Sequence, residues 1–186
     1  SALDQIECRD ALLNEDGSEA QWPEADVIVG NLPFLGAKKM KKELGVDYTN
    51  RVRRRYLGRV TGNSDFVCFW FNKLREEIVT GRTKIGGLVS TSSITGGTNQ
   101  HVMHHLEDDL SIFEAWRKML WVDAGKNVEA SITCVAPKSL SLDKRIDGQI
   151  VDYINSDLTT GINVTRAARL RESQGFAYLG IQLSGA

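Results

Sequence analysis

The sequence predicts an open α/β sheet whose strands are joined by crossover helices. Short β-branched runs alternate with longer segments in which apolar residues recur at helical spacing, and this alternation is typical of sheets covered by helices. The apolar run at residues 27–29 also stops abruptly at a glycine, an amide, a proline and an aromatic ring. Open α/β sheets bind ligands at the carboxyl ends of their strands, so we expect the functional site there.

The first half of the chain is predicted to contain two strands and two short helices. Residues 6–13 are interpreted as a strand that ends near Asp10, and residues 27–29 as the next strand. Helical segments are then expected at residues 38–44 and 50–56.

The longest helix is predicted at residues 65–80, with Ser64 as its N-cap. The elements that follow are a strand at 85–90, a helix at 99–108, and strands at 110–116 and 128–137. Because no long helix separates the strands at 110–116 and 128–137, we expect these two to pair as an antiparallel hairpin at the edge of the sheet. After them we expect a strand and turn at 146–154, an extended or helical linker at 164–171 and a strand at 176–183.

Composition and chain start indicate an ordinary globular domain. The 186 residues are 41% hydrophobic and 25% charged, no apolar run approaches the roughly 18 residues of a membrane span, and the first residues lack signal-peptide features. We therefore expect a cytoplasmic protein with no membrane partner. Cys8, Cys68 and Cys134 are scattered, which indicates reduced thiols and no zinc site. His101 and His105 have metal-ligand spacing, but no acidic or cysteine pattern supports them, and we interpret them as exposed, with no metal predicted.

Positive charge is concentrated directly after the strand at residues 27–29. Residues 38–59 carry a net charge of +7 in a chain whose formal charge is −1. Such a block favours a polyanionic partner, because lysine and arginine supply affinity for phosphates without sequence choice. The alternative is a solvated helix face. The candidate nucleic-acid-binding residues are Lys38, Lys39, Lys41, Lys42, Arg51, Arg53, Arg54 and Arg55.

The residues after the strand can hold a planar amine. Asn31 offers a carbonyl acceptor, Pro33 stiffens the backbone and Phe34 supplies a flat apolar face. Hydrogen bonds from the amine to the amide and to a main-chain carbonyl would free the nitrogen lone pair for attack. The same residues also suit a strand-ending turn with an asparagine cap.

The stretch Asn31-Leu32-Pro33-Phe34 resembles the catalytic Asn-Pro-Pro-Phe/Tyr motif of S-adenosylmethionine-dependent amino-methyltransferases. The segments at residues 29–36, 64–71 and 87–94 are similar, in order and spacing, to the DNA adenine methyltransferase domain of large single-chain restriction-modification enzymes. The resemblance covers residues 6–137. It implies a Rossmann-like class I methyltransferase sheet, of which this chain holds the C-terminal portion.

The resemblance also implies roles for individual residues. Asn31 and the Leu32 carbonyl would accept the two hydrogens of the exocyclic amine of a flipped adenine in double-stranded DNA, and Phe34 would stack on the base. Asp10 matches the acidic position that contacts the adenine of S-adenosylmethionine, or it simply begins a loop. Leu32 replaces the usual first proline, which loosens the geometry and keeps the carbonyl.

No Gly-x-Gly pattern precedes Asp10, so we expect a fragment with an incomplete cofactor site that is inactive alone. Residues 1–140 are then a partial catalytic domain, and residues 141–186 a linker and the start of a target-recognition region. A nuclease domain in the full-length protein remains open. Two other functions also remain open: a methyltransferase acting on RNA or protein glutamine, and a degenerate core that binds DNA or serves as a scaffold.

Overall fold

In the computed structural model, which describes residues 5–123 and 126–162, six strands form one mixed sheet. In chain order they are β1 (Ala25–Asn31), β2 (Thr83–Thr91), β3 (Leu110–Asp123), β4 (Lys126–Pro137), β5 (Lys144–Ile146) and β6 (Gln149–Val151). Their order in the sheet is β1-β2-β4-β3-β5-β6. The β1–β2 and β3–β5 pairs are parallel, and the remaining pairs are antiparallel.

Three helices connect the parallel pair β1 and β2, as expected for a crossover connection. They are α1 (Met40–Glu43), α2 (Val46–Arg55) and α3 (Val67–Val79). Two 3₁₀ turns, Ser92–Thr95 and Gly97–Asn99, then lead from β2 into α4 (Gln100–Asp109). These connections bring the loop after β1 and the loop after β2 to the same edge of the sheet.

Helix α3 forms the centre of the core because apolar residues occur on most of its surface. It packs against β2 and α4, and Phe69, Phe71 and Leu74 are almost completely buried. Its close approach to the sheet depends on Gly86, where an added Cβ atom would lie 2.4 Å from Leu74 Cδ1 and 3.1 Å from the Ile28 carbonyl oxygen. A glycine in β2 therefore sets the distance between helix and sheet.

The structure confirms most of the predicted elements. The strands expected at 27–29, 85–90, 110–116 and 128–137 lie within β1, β2, β3 and β4, and the helices expected at 65–80 and 99–108 correspond to α3 and α4. The strands predicted at 110–116 and 128–137 do pair antiparallel, as β3 and β4. However, β5 and β6 lie outside this hairpin, so it is not the edge of the sheet in the described residues.

Two local predictions were wrong, and the bounds of two helices differ. Residues 6–13 form no strand; Leu13 makes one isolated bridge to Glu19, because the Asp10 carboxylate accepts hydrogen bonds from the Leu12 and Leu13 backbone N–H groups and turns the chain. Ser64 is not the N-cap of α3, because the helix begins at Val67 directly after Phe66, and the Ser64 hydroxyl instead pairs with the Thr61 hydroxyl at 2.5 Å. The helices expected at 38–44 and 50–56 are both present with shifted bounds, since α1 is shorter than the first range and α2 begins earlier than the second.

The C-terminal predictions are tested only in part. The strand and turn expected at residues 146–154 correspond partly to β5 and β6, which join the sheet through β3. The elements expected at residues 164–171 and 176–183 lie outside the described residues. The division at residue 140 stays a prediction. Within the described residues, no helix is long and apolar enough to cross a membrane.

Candidate active site at the end of the first strand

Strand β1 ends at Asn31, which pairs with Val89 of the parallel strand β2. Leu32 turns inward and is only 7% exposed. It can pack there because Gly30 has no side chain: a Cβ atom at Gly30 would lie 3.3 Å from Leu32 Cδ2 and 3.1 Å from Leu88 Cδ2. The buried Leu32 side chain thus fixes the strand end, while Asn31 remains exposed.

The residues after Asn31 form a tight turn that leaves two oxygen acceptors unused. The Leu35 backbone N–H donates to the Pro33 carbonyl at 2.9 Å, which closes a three-residue turn around Phe34. Among the described residues, no group is hydrogen-bonded to the Asn31 side-chain amide, and outside the strand ladder none donates to the Leu32 carbonyl. Asn31 therefore does not cap this turn, and its exposed side-chain amide is free to accept a hydrogen bond from a ligand.

Asp65, directly before α3, holds the loop that follows Phe34. Its carboxylate accepts a hydrogen bond from the Ala37 N–H at 2.9 Å. The neighbouring Phe66 N–H donates to the Leu35 carbonyl at 2.9 Å. The start of α3 therefore fixes both sides of Gly36. Sequence reasoning assigned no role to Asp65, because its partner Ala37 lies 28 positions away in the chain and no local pattern indicates the contact.

Asp65 also connects this loop to the one after β2. Its second carboxylate oxygen accepts hydrogen bonds from the Ser93 hydroxyl at 2.9 Å and from the Asn99 amide at 2.8 Å. The Asn99 amide also donates to the Ser93 carbonyl at 3.0 Å. The loop after β2 is thus joined to the candidate catalytic loop through one carboxylate.

Two aromatic residues, Tyr48 and Trp22, connect Asp10 to the residues around the candidate site. Burial and a hydrogen bond to Asp10 raise the pKa of the Tyr48 hydroxyl, and the Tyr48 ring packs edge-on against Phe66 with centroids 6.3 Å apart. The Trp22 indole N–H donates to the carbonyl of Ala11, the residue after Asp10, at 2.7 Å. Asp10 is therefore a turn-forming residue beside the site, with its carboxylate already bound to three groups of the chain.

Two cavities flank the turn. One, of about 480 Å³, is mainly apolar and runs along β1 to its carboxyl end, with Asn31, Leu32, Trp22 and Trp70 among its lining residues. The other, of about 750 Å³, begins at Phe34 and is lined by basic side chains. Both fall in the size range of small-molecule sites, roughly 300–1,000 Å³. The turn thus separates an apolar space from a cationic one.

The structure divides the predicted basic block into groups with different surroundings. Lys38, Lys39, Lys41 and Arg53 line the cationic cavity. Arg55 instead faces Glu19, with Nε 3.9 Å from a carboxylate oxygen. The remaining members of the block, which line neither cavity, are exposed: Lys42, Arg51 and Arg54.

Glu19 is the centre of a buried charge network that sequence reasoning missed. Arg59 binds Glu19 at 2.8 Å and Glu76 at 2.7 Å. The Lys73 ammonium, in a side chain 2% exposed, lies 3.4 Å from Glu19 and donates to the Ala20 carbonyl. Although burial acts to raise it, hydrogen bonding and positive charge from Arg59 and Lys73 lower the pKa of Glu19. The network fixes the segment before β1 to α2 and α3.

His101 and His105 are exposed on α4. In the part of the chain that the structure describes, no three His, Cys, Asp or Glu side chains gather where they could hold a metal ion. The three cysteines described are unpaired.

Comparison with known proteins gives three similarities. The family model described as "MmeI, DNA-methyltransferase domain" matches residues 4–145. A curated protein of Bacillus subtilis (strain 168), DNA methyltransferase A, is 25% identical over 177 residues, which cover 89% of this chain and 20% of the relative. A solved structure of the Type IIL restriction-modification enzyme MmeI in complex with DNA matches with a TM-score of 0.61 at 24% identity, and covers 74% of this chain and 20% of that one. The chain therefore spans about one fifth of the length of each.

Proposed function

Because the chain belongs to the MmeI DNA-methyltransferase domain family, we propose that it forms the acceptor-base half of an adenine-specific DNA methyltransferase. In this proposal, a methyl group of S-adenosylmethionine is transferred to the exocyclic amine of an adenine that has been flipped out of the duplex. The observation that carries the proposal is the exposed Asn31 amide, which has no hydrogen-bond partner in the described residues, beside the Leu32 carbonyl at the carboxyl end of β1.

The adenine amine has two N–H groups, and the chain presents two acceptors in consecutive residues. Hydrogen bonds to Asn31 and Leu32 would draw the nitrogen toward tetrahedral geometry and direct its lone pair away from the ring. Phe34, held by the turn between Pro33 and Leu35, would stack on the extruded base. Stacking and edge hydrogen bonding are the usual means of holding a flipped base, so catalysis by this chain is mainly positioning.

The described residues fit one side of S-adenosylmethionine. The apolar cavity at Asn31 carries two indole rings, Trp22 and Trp70, and the Trp22 indole N–H binds the carbonyl of Ala11, the residue after Asp10. When bound, the cofactor supplies the electrophilic methyl group. Asp10 and the cavity wall would hold its adenosine part, and the exposed Asn31 would lie between cofactor and base.

The sheet supports the expectation that other parts of a longer protein complete the cofactor site. In the described residues β1 pairs only with β2, and Val27 and Val29 are 50% and 78% exposed. Apolar side chains on an unpaired strand edge are unusual in isolated domains. A parallel strand carrying the glycine-rich cofactor loop would pair with this free edge of β1 and bring that loop to the carboxyl end of β1.

Two alternatives use the same site. A methyltransferase of RNA or of protein glutamine would need the same two acceptors, and a degenerate core would keep DNA binding without transfer. The basic cavity beside Phe34 favours a nucleic acid over a protein substrate. The replacement of a proline by Leu32 supports the degenerate core, whereas the buried Leu32 side chain anchors the backbone at this position and supports a formed site.

A methyl-transfer assay on the full-length protein distinguishes these functions. Radiolabelled S-adenosylmethionine is offered with duplex DNA, structured RNA and cell-extract protein in separate reactions. We expect label in DNA alone, and loss of most of it with Phe34→Ala, while Phe113→Ala, a substitution outside the site, retains it. Label in RNA or protein, or salt-dependent DNA binding with no transfer to any acceptor, would contradict the proposal.

A further inference from the structure

The cationic cavity beside Phe34 contains a buried donor with no partner. Arg53, on α2, reaches the cavity, and its guanidinium donates through Nη2 to the Ala37 carbonyl at 3.3 Å. The Arg53 Nε atom is buried and has no hydrogen-bond partner in the described residues. A buried, unsatisfied donor is costly, particularly on a charged group, so the Arg53 guanidinium has hydrogen-bonding capacity that the described residues do not use.

The charges around Arg53 favour an anion. Lys38, Lys39 and Lys41 line the same cavity, and none of them forms an ion pair with another residue in the described ranges. Asp65 is the one acidic lining residue. Its two carboxylate oxygens already accept hydrogen bonds from Ala37, Ser93 and Asn99. The cavity therefore contains four cations whose charge is only partly balanced.

We propose that this cavity binds one phosphate of the DNA backbone, with Arg53 as its central ligand and Lys38, Lys39 and Lys41 around it. The inference rests on the proposed function, because it takes the anion to belong to the target DNA. Phe34 lines the same cavity, so a nucleotide whose base reaches Phe34 carries its own phosphates past Arg53. The site would then fix the backbone next to the flipped base.

The proposal assigns the basic block unequal roles. Arg53 is a phosphate ligand because its guanidinium is held by Ala37 and faces the cavity. Arg54, the next residue on α2, is exposed and lies outside the cavity, and Arg55 is directed to Glu19. If the two arginines acted only through their long-range positive charge, substitution of Arg53 and substitution of Arg54 would weaken DNA binding equally. If Arg53 contacts a phosphate, its substitution would weaken DNA binding more.

The test measures binding of a short DNA duplex by fluorescence anisotropy between about 50 mM and 200 mM KCl, using the full-length protein. Each phosphate contact contributes about 0.9 to the slope of log affinity against log salt. We expect Arg53→Gln to lower the slope by about one contact, and the matched variant Arg54→Gln to lower it by less than half as much. Arg53→Lys should keep the slope but weaken binding about three- to tenfold, because lysine lacks the guanidinium fork.

Thermal unfolding of each variant shows whether it is folded. If Arg53→Gln is unstable, Arg53→Lys tests the site instead, because it keeps the positive charge and removes only the guanidinium group. An unchanged slope in Arg53→Gln, or equal losses in Arg53→Gln and Arg54→Gln, would overturn the phosphate site. If either result is obtained and the wild-type protein still methylates DNA, the phosphate site is rejected but the proposed function is retained. An Arg53-dependent slope with no methyl transfer supports the phosphate site and rejects the proposed function.

Discussion

Asp65 and Asn99 exchange two hydrogen bonds: the Asp65 backbone N–H donates to the Asn99 side-chain carbonyl at 2.8 Å, and the Asn99 amide donates to the Asp65 carboxylate at 2.8 Å. Since the same carboxylate accepts from Ala37, this pair connects the loop after β2 to the loop that presents Phe34. The two loops that meet at the carboxyl edge of the sheet are therefore one hydrogen-bonded unit.

Replacement of Asp65 by asparagine is expected to reduce methyl transfer more than stability. The substituted side chain would keep an acceptor for Ala37, but it would lose the charge and set its amide against two donors, Ser93 and Asn99. Hydrogen bonds to charged groups contribute about 1.5–3 kcal/mol. We expect kcat to fall about tenfold or more, with KM for DNA changed less, because the loop would still form but would hold Phe34 less firmly.

The matched control is Asp143→Asn, since that carboxylate is 77% exposed and lies 3.8 Å from its partner Arg145. It should leave kcat unchanged. Equal kcat values for wild type and Asp65→Asn would show that the Asp65 carboxylate does not position the loop.

Substitution of Lys73 by methionine is expected to lower the free energy of unfolding by about 3 kcal/mol. The substitution leaves Glu19, 11% exposed, with one cation fewer and removes the donor to the Ala20 carbonyl. Breaking a buried ion pair by removing one partner costs roughly 3–5 kcal/mol. Chemical denaturation measures the change. Lys84→Met, at a 78% exposed ion pair with Asp26, is the control and should cost much less; equal losses would contradict a structural role for the Glu19 network.

Gly86→Ala should destabilise the fold, whereas Gly62→Ala should not. A Cβ atom at Gly86 would meet Leu74 and the Ile28 backbone, at 2.4 Å and 3.1 Å, and forcing extra atoms into a packed core costs about 1–3 kcal/mol. No atom lies within 4 Å of a Cβ built at Gly62. The midpoint of thermal unfolding of each variant tests this. A Gly86→Ala protein as stable as the Gly62→Ala protein would show that α3 can shift away from β2.

Alkaline pH should destabilise the protein partly through Cys68. Burial raises the pKa of the Cys68 thiol to about 12 from a usual value of 9.0. Above about pH 9 the unfolded chain loses this proton and the folded chain keeps it, so the free energy of unfolding falls as pH rises. Cys68→Ala should make this fall shallower between pH 9 and about 11 than in wild type. Parallel curves for the two proteins would exclude Cys68 as a source of the pH dependence.

The sequence predicted those parts of the fold whose signal is local. The strand ending at Asn31 and the helix α3 were found because a β-branched run and a helical apolar pattern are visible in a short window. Residues 6–13 were misassigned because their apolar side chains have the same pattern as a strand, while the Asp10 turn that bends them depends on hydrogen bonds to Leu12 and Leu13.

The candidate site was predicted less completely for a related reason. Asn31 to Phe34 are contiguous, so a motif was sufficient to propose them as site residues. The Asp65–Asn99 pair and the Glu19–Lys73 pair join residues 34 and 54 positions apart. Such contacts exist only once the chain has folded. The uneven use of the basic block, with Arg53 in the cavity and Arg55 at Glu19, could not be read from composition either.

The central claim, that Asn31 and Leu32 hold the amine of an adenine, is tested most directly by nucleoside mass spectrometry of DNA methylated by the full-length protein. Wild-type protein should produce N6-methyladenine, and Asn31→Ala should reduce its formation at least a hundredfold while the protein still binds DNA. The matched variant Asn127→Ala, at an exposed position of β4, should leave the product unchanged. Full N6-methyladenine formation by Asn31→Ala, or methylation of cytosine in place of adenine by the wild type, would contradict the claim.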